Sequence, residues 1–120
     1  MEILVRIYNQ TMEWKVVEYE TIRGERPVSE FIKKQQSQAI AKIAHLIDLL
    51  EIYGSLLNMP HAKKIETNMY ELRIRGKEEI RIIYGFIGKT IYLLSGFKKQ
   101  KQKTPQKEIE TARQRYLSLT

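Results

Sequence analysis

The chain predicts an α+β domain: a small antiparallel sheet, two N-terminal helices packed on it and a C-terminal helix, in the order β-α-α-β-β-β-α. Three observations lead there. Apolar residues recur at helical spacing from Val28 to Leu50, then switch to period two from Met69 onward. Gly76 and Gly88 separate the later segments by turns too short for a crossover helix, so these strands form an antiparallel meander.

Each element has its own signal. Glu13–Tyr19 reads as a first strand, with Trp14, Val16 and Glu18 on one side and Lys15, Val17 and Tyr19 on the other. Pro27 suits a helix start, where its missing N–H is no loss, and Val28–Gln36 turns Val28, Phe31 and Ile32 to one side. Ser37 is placed to cap a second helix with Ile40, Ile43, Ala44, Ile47 and Leu50 inward, and Gly54 to end it. In the next strand, Met69–Arg75, Tyr70, Leu72 and Ile74 oppose Glu71, Arg73 and Arg75. Glu79–Phe86 sets Ile80, Ile82, Tyr84 and Phe86 against Arg81 and Ile83. Thr90–Phe97 is apolar on both faces, as in a strand covered on both sides. A short extra strand fits near Lys63–Ile65. Thr104-Pro105 marks the start of a last helix whose inner face is Ile109, Ala112 and Tyr116.

Composition narrows the function. A chain of 120 residues, 42% hydrophobic with eleven aromatics, supports one core and one domain. Residues 1–12 read as an N-terminal extension or upstream start, and 13–120 as the domain. Without Cys there is no disulfide scaffold, iron–sulfur site or thiol chemistry. No run reaches the roughly 18 apolar residues of a membrane span, so a cytoplasmic protein is expected. His45 and His61 stand far apart with no metal-ligand spacing, so neither a metal nor a cofactor is expected. His45, on the presumed core helix, reads as structural, and His61 in a loop as a weak acid–base candidate. No Gly-rich phosphate loop and no Ser/His/Asp spacing is present.

What remains is cationic. The net charge of +7 divides into −1 for residues 1–60 (seven Lys/Arg, eight Asp/Glu) and +8 for residues 61–120 (fourteen Lys/Arg, six Asp/Glu). Such asymmetry points to a polyanion or an acidic partner surface. Arg73 and Arg81 lie on neighbouring strands where they can converge, and each guanidinium offers a fork of donors to a phosphate. Ion pairing with Glu71, Glu78 or Glu79 competes with that reading, most for Arg75 and least for Arg73. Lys98, Lys99, Lys101 and Lys103 follow the last strand, either as a solvated run or as a basic edge held beside the sheet.

Three segments carry a family resemblance: PVSEFI (Pro27–Ile32), MYELRIRGKEEIRIIYGF (Met69–Phe86) and LLSGFKKQKQKTPQKEIETA (Leu93–Ala112). Together they resemble the phage-derived, HigB-like toxins of the RelE/ParE superfamily, over nearly all of Glu13–Tyr116. The resemblance implies a RelE-like fold with a small twisted antiparallel sheet. It also implies a toxin of a type II toxin–antitoxin system: an endoribonuclease that cuts mRNA on the ribosome and inhibits translation. Its implied partners are the ribosome with its message and a cognate helix-turn-helix antitoxin, with operator DNA reached only through the antitoxin and no membrane. Arg73 matches the family's active-site arginine, Arg81 the IR element, and Lys98 and Lys99 the basic end of the last strand. The catalytic set so implied is Arg73, Arg81 and Lys99. Lys63, Lys64, Arg75, Lys98, Lys101 and Lys103 form the RNA-binding set. Tyr116 lies too far along its helix to match the C-terminal tyrosine of some members, which leaves the general base unassigned. Two other readings stand beside this one: a ParE-like poison of DNA gyrase, and a non-catalytic nucleic-acid-binding module.

Overall fold

The computed structural model describes residues 14–100 and 102–120, so the segment read as an extension, 1–12, lies outside the described residues. A first strand β1 (Lys15–Glu18) leads into helices α1 (Pro27–Lys33) and α2 (Ser37–Tyr53) and a 3₁₀ turn at Gly54–Leu56. Strands β2 (Ala62–Glu66), β3 (Met69–Ile74), β4 (Ile80–Ile87) and β5 (Thr90–Lys98) follow, and α3 (Gln106–Ser118) closes the chain. The short strand expected near Lys63–Ile65 is β2.

The sheet runs in the order β1-β5-β4-β3-β2. From β2 to β5 the neighbours are antiparallel, but β1 lies parallel to β5, with Val16 opposite Ile91 and Glu18 opposite Leu93. The expected all-antiparallel sheet is therefore a mixed one. Four residues with no turn to their partner carry no local record of direction.

Strand parity divides the core in two. Leu72, Ile74, Ile80, Ile82, Tyr84 and Ile91 face α1 and α2, where Val28, Ile43, Leu46 and Leu50 pack against them. On the opposite face Met69, Ile83, Leu94 and Phe97 meet Ala112, with Ile109 and Tyr116 alongside, under α3. Burial of Ile83, Leu94 and Ala112 at 1% exposure or less makes this second core as dry as the first. The inward stripe of α2 is Ile43, Leu46 and Leu50, whereas Ala44 and His45 are exposed. His45 is exposed and so has no core role, standing about 100° around the helix from Leu46 and farther from Ile43.

Gly54 and Gly85 admit close packing. Gly54 ends α2 at φ +50°, and a Cβ there would lie 2.0 Å from the Trp14 ring. A Cβ on Gly85 would lie 2.7 Å from Tyr116, whose hydroxyl donates to the Phe86 carbonyl at 2.7 Å. Neither Ser37 nor Thr104 caps a helix through its side chain: the cap positions are Gln36 and Pro105. Thr104 is engaged elsewhere, as described below. Among the described residues no helix is long and apolar enough to cross a membrane.

Candidate functional site

Helix α3 covers only part of its face of the sheet. Glu108, in its first turn, accepts a hydrogen bond from Ser95 at 3.0 Å, and Tyr116 reaches back to Phe86. The register then runs the other way: Arg73 is the cross-strand partner of Arg81, Arg81 of Phe97, and Ile80 of Lys98. The end of the sheet carrying these cations projects past the start of α3.

A cleft of about 330 Å³ opens there. Lys63 and Lys64 from β2, Arg73 from β3, and Lys99 and Lys103 from the segment after β5 line it, together with Thr104 and Gln106 at the start of α3. Glu71 is the sole carboxylate among the described lining residues, against five cations. That balance gives the cleft a positive field, which a low-dielectric floor strengthens.

The floor is a buried polar network. Arg81 is 1% exposed, donates through Nη1 to Glu79 at 2.9 Å and to the Ile80 carbonyl at 3.0 Å, and holds Nε 3.9 Å from Glu71 Oε1. Glu71, 4% exposed, accepts a hydrogen bond from Thr104 through its other oxygen at 2.5 Å. Thr104 thereby ties the lysine-rich segment to β3. Lys99 is drawn in by its backbone N–H, which donates to the Glu79 carbonyl at 2.7 Å. Desolvation, and then the positive charges of Arg81 and Arg73, hold the Lys99 amine below the ordinary lysine range, with Glu71 and Glu79 opposing.

Arg73 differs from Arg75, Arg81 and Lys98 in having no carboxylate ion pair among the described residues. Its Nη1 rests 3.3 Å from Met59 Sδ, its Nε, like that of Arg81, is buried without a hydrogen-bond partner among the described residues, and its backbone N–H donates to the His61 carbonyl. Arg75 faces Glu79 at 3.7 Å, and Lys98 pairs with Glu78 at 2.8 Å. A charge already matched by a carboxylate is a poorer phosphate ligand than one that is not.

The residues named from sequence thus separate. Arg73, Lys99, Lys63, Lys64 and Lys103 share the cleft. Arg81 lies under it, its Nη1 held by Glu79 and the Ile80 carbonyl and its Nε buried 3.9 Å from Glu71, too deep to touch a ligand. Arg75 and Lys98 are held in surface ion pairs, and Lys101 lies outside the described residues. Glu71 was read only as a competing ion-pair partner and Thr104 only as a helix cap, neither as a site residue. The alternation of β3 put Glu71 on the Arg73 side, but nothing local announced its burial or its partner 33 residues away.

A family model described as "Phage derived protein Gp49-like (DUF891)" matches residues 30–117, which include both strands of the arginine pair and the whole lysine segment. The chain belongs to that family. No curated protein matches it significantly. The Gp49-like description names no activity. Among the described residues no cluster of three His, Cys, Asp or Glu is disposed to hold a metal ion. The cleft of this Gp49-like chain offers a guanidinium, several ammonium groups and one carboxylate around a volume fit for a phosphodiester.

Proposed function

We propose that this protein is the toxin of a type II toxin–antitoxin system, RelE-like in fold, acting in the cytoplasm as a metal-independent endoribonuclease on ribosome-bound mRNA. The observation that carries the proposal is Arg73: a guanidinium with no carboxylate ion pair among the described residues, in a cleft shared with four lysines. Supporting it are the ELR and FKKQKQKTP motifs and the positive second half of the chain.

In this reading the 2′-oxygen of the message attacks phosphorus and the P–O5′ bond breaks. Arg73 holds the phosphate and stabilises its developing charge, a type of preorganised donor worth about 10²–10³ in rate. Lys99, its proton already loosened, delivers that proton to the leaving 5′-oxygen. Glu71, the carboxylate of the wall, accepts the 2′-OH proton through Oε1, with Thr104 and Arg81 fixing its orientation. The ribosome supplies alignment of the message, and a helix-turn-helix antitoxin neutralises the toxin.

Induced expression followed by mapping of mRNA 5′ ends, beside a DNA-damage reporter, tests the proposal. New ends inside codons are expected. Damage without new ends would replace it with the gyrase-poison reading; steep salt-dependent RNA binding with neither effect would leave a binding module.

A further inference from the structure

A second cleft, about 450 Å³, lies between α2 and the edge of β3 that β2 leaves uncovered. We propose that it is a nucleobase subsite, which receives the base of a nucleotide whose phosphate Arg73 holds. The inference rests on the reading of the Arg73 cleft as an RNA-phosphate site and adds a recognition element to it.

Arg73 lines both clefts. It sits just beyond the start of β2, its N–H bound by the His61 carbonyl, and its side chain turns over the open edge to Met59. A phosphodiester on this guanidinium therefore has the phosphate cleft on one side and the second cleft on the other. The second cleft has the character a base needs. Ala41, Leu46, Pro60 and Ile74 make an apolar floor, and the imidazoles of His45 and His61 add flat polar walls. Unstacked RNA bases are held by stacking on such rings and by hydrogen bonds along their edges. The size falls within the range of small-ligand sites, roughly 300–1,000 Å³.

Charge selects the occupant. Lys42, Arg73 and Arg75 stand around the cleft, and no carboxylate is among its described lining residues. Lys42 is fixed there, its Nζ donating to the Arg75 carbonyl at 2.9 Å. A cationic rim around an apolar floor, continuous with a phosphate cleft through a shared arginine, suits a nucleotide. The two histidines, far apart in sequence, acquire a common purpose.

Fluorescence anisotropy with labelled 2′-O-methyl trinucleotides tests this without cleavage, using probes that lack the base at one position at a time. For the native protein, loss of the base at one position should weaken binding about 5- to 100-fold. Ala41→Trp, at an exposed helical site, fills the cleft; intact and abasic probes should then bind alike, at the abasic level. His45→Ala should remove part of the difference, and neither variant touches the phosphate cleft. Equal binding of intact and abasic probes by the native protein overturns the inference. So does a base effect that survives Ala41→Trp. Cleavage of ribosome-bound mRNA, measured separately, reports on the nuclease reading: cleavage without a base effect leaves that reading standing and removes this one. A base effect sensitive to Ala41→Trp with no cleavage leaves the subsite and removes the nuclease.

Discussion

Arg81→Met should cost about 3–4 kcal/mol of folding stability, and the reason is Glu71. In the native protein Arg81 Nε stands 3.9 Å from Glu71 Oε1, with both side chains at 5% exposure or less. At an effective dielectric constant of about 20 that separation corresponds to about 4 kcal/mol of attraction. Glu79, the other partner, has a side chain 38% exposed and returns to water when Arg81 is lost, so it adds little. Methionine keeps the alkyl packing under the cleft while stranding Glu71 as a buried charge, and removal of one member of a buried pair costs about 3–5 kcal/mol. Removing both charges should restore most of the loss: Arg81→Met/Glu71→Leu is expected within about 1 kcal/mol of native, a coupling of about 2–3 kcal/mol. Urea unfolding of the two single variants, the double variant and the native protein closes the cycle. A single-variant cost below about 1 kcal/mol, or a coupling below about 0.5 kcal/mol, would refute the account of the cleft floor.

Other expectations concern charge and packing. Hydrogen bonds from Arg113 to Glu66 and from Arg81 to Glu79 hold both carboxyls below the ordinary 4.5. Folded values below unfolded ones mean stability present above pH 4.5 and lost as pH falls through the lowered values. Glu66→Gln should flatten that acid limb in pH-dependent thermal melts; an unchanged limb would refute the assignment. For Lys99 the shift is also downward, so its burial is unfavourable while the amine is charged, and the penalty eases as pH rises through the lowered value toward 10.5. Labelling with acetic anhydride against pH should show Lys99 reacting with a midpoint below that of a model lysine, and coincidence with the model would contradict this. Gly54→Ala, which drives a methyl into the Trp14 ring at positive φ, should destabilise by about 1–3 kcal/mol in chemical denaturation.

Much of the fold was legible because β3 and β4 obey period two with different chemistry on each face, while β5 is apolar on both. Tyr70, Leu72 and Ile74 opposite Glu71 and Arg73 could face only one way. The parallel pairing of β1 was not legible, since Lys15 meets Thr90 across most of the chain and no turn links them. At the site, strand order led to Arg73 and Arg81 converging on a phosphate, whereas the cleft is shared by Arg73 and Lys99, a residue named only through the family resemblance, and the burial of Arg81 was not legible. An arginine in a strand looks the same whether it meets phosphate or a carboxylate; only its surroundings in space, here Glu79, Ile80 and Glu71, distinguish the two. Thr104 was read as a helix cap for the same reason, its hydroxyl being equally suited to Glu71.

The central claim is that Arg73 does the phosphate chemistry, and cleavage of mRNA on programmed ribosomes tests it most directly. Native protein should cut. Arg73→Ala, with an unchanged circular dichroism spectrum and urea midpoint, should cut at least about 100-fold more slowly. Cleavage by Arg73→Ala within threefold of native would contradict the account.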